Sequence, residues 1–133
     1  MLRLSKRVEY GLMALQHLAK CGNVATTREI ADGRQIPYDL LAKVMQSLKR
    51  DGLIDSYQGT KGGYALMLSP NAISLSRVIG ALDEEIALTD CGVENADHSS
   101  CSMFDSCTIK DPLYKIQKRM EETFGSVTVA ELL

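Results

Sequence analysis

LIDSYQGTKGGYALMLS, residues 53–69, decides how the rest of the chain is read. Leu53, Ile54 and Tyr57 lead into Gly59-Thr60-Lys61-Gly62-Gly63, and Tyr64, Leu66 and Leu68 alternate on the way out. Apolar alternation on either side of a Gly-rich turn predicts a two-stranded hairpin. Its tip is small and flexible and carries a single cation, Lys61. By itself this is an ordinary hairpin loop. Its meaning depends on what precedes it.

Three short helical patterns do. Leu4, Val8, Leu12, Leu15 and Ala19 recur at spacings of three and four and predict a helix over 4–20, with Gly22 as its stop. Thr26 with Glu29 three residues later predicts a capping box that opens a second helix, which Gly33 ends. Pro37 stands at the start of a third, where its missing N–H is harmless. That helix carries Leu40, Leu41, Val44, Met45 and Leu48 on one side and closes at Gly52. Its other face holds Tyr38, Asp39, Lys43, Gln46 and Arg50. These residue types suit a solvated face, or contacts with base edges and phosphates. Three helices with tight turns form a helix-turn-helix, and a basic Gly-rich hairpin directly after it forms a wing, which favours the second reading. The wing's small residues would let it lie close in a minor groove while Lys61 meets phosphate.

A fourth helix is expected over 74–82, with Leu75, Val78, Ile79 and Leu82 on one face. Asp111-Pro112 opens a longer one to about residue 124, with Leu113, Ile116, Met120 and Phe124 at helical spacing. A long terminal helix pairs with its twin in many small two-fold regulators; the alternative is packing on its own domain. The expected class is mostly α with a small β-hairpin wing: a winged helix-turn-helix over 1–82, a cysteine-rich loop over 83–110, and a dimerisation helix with a C-terminal segment over 111–133.

The chain of 133 residues suits one compact domain with an extension, and its 45% hydrophobic content supports a core. The net charge of −2 conceals an asymmetry. Residues 1–64 hold ten Lys/Arg against six Asp/Glu, and residues 65–133 hold five against eleven. The basic half, which holds the helix-turn-helix and wing, can meet a polyanion, although asymmetries of this size also occur in proteins that bind no nucleic acid. No apolar run approaches the roughly 20 residues of a membrane span. The N-terminus lacks a signal-peptide pattern, so a cytoplasmic setting is expected. No phosphate-binding loop, HExxH or nucleophile elbow occurs, and no enzyme activity is expected.

Cys91, Cys101 and Cys107 are separated by nine and five residues of mostly Gly, Asn, Asp, Ser and His. No CxxC pair is present, which argues against a thioredoxin-like site and most zinc ribbons. A segment with so few apolar anchors needs an external organiser. An iron–sulfur cluster, a zinc ion or a reversible disulfide would each serve, and inert thiols remain the plain alternative. Three thiolates leave one coordination position, open to His98 within the loop or to a carboxylate from elsewhere. Cys21 reads as a small buried residue, and His17, within the first helix, as structural or surface.

Taken together, LSKRVEYGLMAL, REIA, the spacing of the third helix, GLIDSYQGTKGGYAL and the three cysteines resemble the bacterial winged-helix regulators of the IscR and NsrR type, over nearly the whole chain. EEIALTDC, Cys101-Ser102 and the ending VTVAELL are similar to the branch that regulates the SUF iron–sulfur assembly operon. The resemblance implies a homodimer that binds operator DNA and an iron–sulfur cluster, either 2Fe-2S or 4Fe-4S, on Cys91, Cys101 and Cys107. IscR-type members carry a His three residues beyond the last Cys, where this chain has Lys110. NsrR-type members use a carboxylate just before the YG of the first helix, reaching across from the partner. That residue here is Glu9, the preferred fourth ligand, with His98 second. The first cysteine gap of nine exceeds the five usual in both types. DNA contacts are expected from Tyr38, Lys43, Gln46, Gln58, Thr60 and Lys61, with Gln58 standing where many members have Arg.

Overall fold

The computed structural model describes residues 3–93, 96–97 and 99–133. Helix α1 (Lys6–Cys21) starts at Ser5, whose hydroxyl accepts from the Val8 N–H, and stops at Gly22, whose N–H bonds to the Leu18 carbonyl. Helix α2 (Thr27–Arg34) opens with the full capping box of Thr26 and Glu29. It runs one residue past Gly33, because Gln35 takes the left-handed cap at φ 56°. Helix α3 (Tyr38–Arg50) follows Pro37, and strands β1 (Ile54–Tyr57) and β2 (Gly63–Leu66) pair antiparallel with Tyr57 opposite Gly63. Helix α4 (Leu75–Ala81) and the long α5 (Lys110–Ser126) complete the set.

The core lies between α1, α3 and α4. Leu15, Leu41, Val44, Met45, Leu48, Leu53, Ile73, Val78 and Leu82 are fully enclosed there. The buried positions of α1 are Val8, Gly11, Ala14, Leu15 and Leu18, a stripe rotated from the expected one, so Leu12 is only half-buried. Leu40 likewise departs from expectation: it is 47% exposed at the flank of α3 rather than in its apolar face.

The GGY of the wing has a steric reason. The backbone of Tyr64 exchanges two hydrogen bonds with Ala25, just before α2, at 2.9 and 2.8 Å. Gly63 sits in that contact at φ 147°, and a Cβ there would stand 2.6 Å from the Ala25 carbonyl oxygen. At Gly62 a Cβ would stand 2.5 Å from the Tyr57 carbonyl oxygen. No side chain fits at either position, and the wing is thereby fastened to the helix-turn-helix.

The chain end returns to the winged part. Val129 is buried and its N–H bonds to the Ile73 carbonyl at 2.9 Å, while the Leu75 N–H bonds to Val127 at 2.9 Å. This anchors the C-terminal end of α5 beside the start of α4, with Phe124 packed on the core.

Candidate functional site

Two sites are built on this frame. The first is the outer face of α3 with the wing. Asp39, Lys43 and Gln46 follow one another at helical spacing opposite the buried Leu41, Val44, Met45 and Leu48, and all three are exposed. Gln58, Thr60 and Lys61 are exposed at the wing tip. Among the described residues no side-chain hydrogen bond or ion pair occupies Lys43, Gln46, Gln58, Thr60 or Lys61. Their donors are free for phosphate oxygens and base edges.

Tyr38 is 40% exposed and is covered by the guanidinium of Arg28, 4.1 Å from the ring centroid. Arg28 lies in the first turn of α2, beside the N-terminus of α3, and sequence reading passed it over. A cation in the turn that leads into a recognition helix was the available signal. Arg50, by contrast, leaves the expected face. It donates to the Asp83 carboxylate at 3.1 and 3.3 Å and to the Ala81 carbonyl at 3.4 Å, because the last turn of α3 abuts the exit of α4.

The second site is the cysteine segment between α4 and α5. Cys91 is half-buried in a 3-10 turn (Asp90–Gly92), with its sulfur 3.0 Å from the Thr89 hydroxyl. Cys101 and Cys107 are half-buried, and all three thiols are free. The Phe104 N–H bonds to the Cys101 carbonyl at 3.1 Å. Lys110 lies over the Phe104 ring at 4.2 Å and donates to the Phe104 carbonyl at 2.9 Å. Its ammonium thus fastens the loop to the start of α5.

Glu9 is partly exposed on the first turn of α1 and pairs with Lys6 at 2.8 Å, which holds the Lys6 ammonium above its ordinary value. His98 lies outside the described residues. Among the described residues no three His, Cys, Asp or Glu side chains are gathered closely enough to hold a metal, so the three thiols and Glu9 are not drawn into one set within a single chain. The donor chemistry nonetheless suits an iron–sulfur cluster: three accessible thiols on one sparsely packed loop, none committed to a disulfide. Cys21 is exposed, contrary to expectation, since α1 ends there and its thiol reaches only the Leu18 and Asn23 carbonyls.

Comparison with known proteins gives one consistent picture. The sequence pattern of the Rrf2 family, described as iron-dependent transcriptional regulator, matches residues 4–133. A putative HTH-type transcriptional regulator of Synechocystis is 33% identical over 87 residues, 64% of this chain and 59% of that protein. The transcriptional regulator NsrR of Shouchella clausii is 25% identical over 134 residues, 99% of this chain and 89% of the relative. Among solved structures, CymR, the global cysteine regulator of B. subtilis, superposes with a TM-score of 0.75 at 25% identity, covering 99% of this chain and 96% of CymR. IscR of T. potens gives a TM-score of 0.75 at 25% identity, covering 98% of this chain and 85% of IscR.

Proposed function

The chain belongs to the Rrf2 family of transcriptional regulators, DNA-binding winged-helix proteins and not enzymes, and on that premise we propose that it is an iron–sulfur-cluster-dependent repressor of cluster-assembly genes. The observation that carries this reading is the placement of three free cysteines on the one loop that joins the winged part to α5. Cys91, Cys101 and Cys107 would hold the cluster, with Glu9 of a second copy as fourth ligand. We take the working form to be a cytoplasmic homodimer through α5, whose Tyr114 and Ile116 are exposed, as is Ile109 just before it. Domain limits of 1–82, 83–110 and 111–133 follow from this division of labour.

A cluster held by Cys91, Cys101 and Cys107 would supply the tie that closes the cysteine loop. The chain's own residues carry the consequence to DNA. Arg7 donates to the Leu82 carbonyl at 2.9 Å, and Arg50 holds Ala81 and Asp83, so α1 and α3 both grip the point where the loop leaves α4. Ordering the loop therefore biases the set of α3 and the wing, a population shift between two DNA affinities. A coupling of about 1–3 kcal/mol changes operator affinity roughly 5- to 150-fold.

Glu9 and the likeness to NsrR of Shouchella clausii support a second reading, a nitric-oxide-sensing repressor. Anaerobic purification with iron, sulfide and zinc analysis tests the first claim. Iron with sulfide supports it, and a colourless protein with one zinc per chain, or one that cycles a disulfide, removes it. Release of operator by nitric oxide, with cluster-assembly promoters left unbound, would select the second reading.

A further inference from the structure

We propose that Gln117 is a positioning residue that fixes where Cys91 stands in the loop and thereby sets how firmly the loop holds a cluster; the second half rests on the function proposed above. Gln117 is the one buried side chain among the described residues of α5, at 4% exposure, and it is polar. Its Oε1 accepts from the Leu88 N–H at 3.2 Å. Its Nε2 donates to the Gly92 carbonyl at 2.7 Å and to Glu121 Oε1 at 3.2 Å. Leu88 and Gly92 stand on either side of Cys91. One carboxamide thus ties down both ends of the turn that carries the thiol, together with Thr89, whose hydroxyl meets the Cys91 sulfur.

The geometry needs this residue in this orientation. The acceptor and the donor face different backbone groups, so Leu offers neither and Glu offers only the acceptor. Glu121 fixes which way the amide points. The Gln117 hydrogen bond, followed by Lys118, holds the Glu121 carboxyl below its ordinary value, so it stays an acceptor. Gly92 is the complementary half: a Cβ there would collide with Gln117 Oε1. The absent side chain at residue 92 and the carboxamide at residue 117 form one latch between the loop and α5.

The test uses the full chain, reduced and metal-free, with iodoacetamide as probe and mass spectrometry at each cysteine. Gln117→Leu should speed alkylation of Cys91 by about tenfold or more, the order of the two hydrogen bonds to the turn that it removes, with Cys101 and Cys107 unchanged. Gly92→Ala should do the same from the other side, and it decides alone if Gln117→Leu fails to fold. Unchanged Cys91 reactivity in the variants overturns the proposal, as does an equal rise at all three cysteines in folded protein. After anaerobic loading with iron and sulfide, both variants should surrender iron to a chelator faster than wild type. If wild type takes up no iron while Cys91 reactivity responds as stated, the latch stands and the cluster reading falls.

Discussion

Arg50, the last residue of α3, donates to both carboxylate oxygens of Asp83, two residues past the end of α4, at 3.3 and 3.1 Å. Arg77 of α4 answers from the other side, donating to the carbonyl of Asp51 at 3.0 Å and to its carboxylate at 3.4 Å. Two crossed pairs thus join the end of the recognition helix to the helix from which the cysteine loop departs. Each pair is solvent-exposed and worth about 0–1 kcal/mol, so their value lies in register rather than stability.

Asp83 sits at φ 58°, a conformation that Asp and Gly tolerate better than Ala. Asp83→Ala should cost about 1–2 kcal/mol, the sum of a lost pair and left-handed strain, and Asp83→Gly less than about 1 kcal/mol. Urea denaturation checks the order. An Ala variant as stable as the Gly variant would show that the backbone relaxes there.

Gly63→Ala should destabilise the protein by about 1–3 kcal/mol, through strain and collision with the Ala25 backbone, and weaken operator binding as the wing detaches. Thermal melts and DNA titrations read both effects. Full stability in this variant would mean that the bridge between Ala25 and Tyr64 is dispensable.

Lys61 at the wing tip has no partner among the described residues. Lys61→Ala should lower the slope of log affinity against log salt by roughly one phosphate contact. Lys43→Ala should weaken binding as well. An unchanged slope for Lys61→Ala would place its ammonium away from the DNA backbone.

Much of the DNA-binding half was legible because its signals are local. Thr26 and Glu29 lie within one turn of each other, and Gly62-Gly63 announces a close approach whatever it approaches. Leu40 was misplaced because the helix period leaves flank positions ambiguous until the partners of α3 are known. Arg50 was placed on the outer face of the third helix because nothing nearby in sequence reveals Asp83. Gln117 was invisible for a related reason. A glutamine in a charged helix reads as solvated, and only the return of residues 88–92 onto α5 buries it. The cysteines were legible as a group, but among the described residues they are not gathered into a metal-holding set.

Glu9 pairs with Lys6, and no cysteine of its own chain is gathered with it into a metal-holding set among the described residues. As the fourth ligand proposed above, it would act from a second copy of the chain. Glu9→Ala should speed cluster loss more than His98→Ala does, as followed by the decay of visible absorption under a chelator. The opposite order would assign the fourth position to the loop itself. Cys91→Ala, Cys101→Ala and Cys107→Ala should each prevent stable loading.

The most direct measurement is operator affinity of one preparation assayed twice, anaerobically with its iron and sulfide in place and again after their removal. A protein that senses its cluster through the loop between α4 and α5 should differ between the two states by about 5- to 150-fold at the same salt. Equal affinity in the two states, with iron and sulfide verified in the first, would contradict cluster-dependent repression.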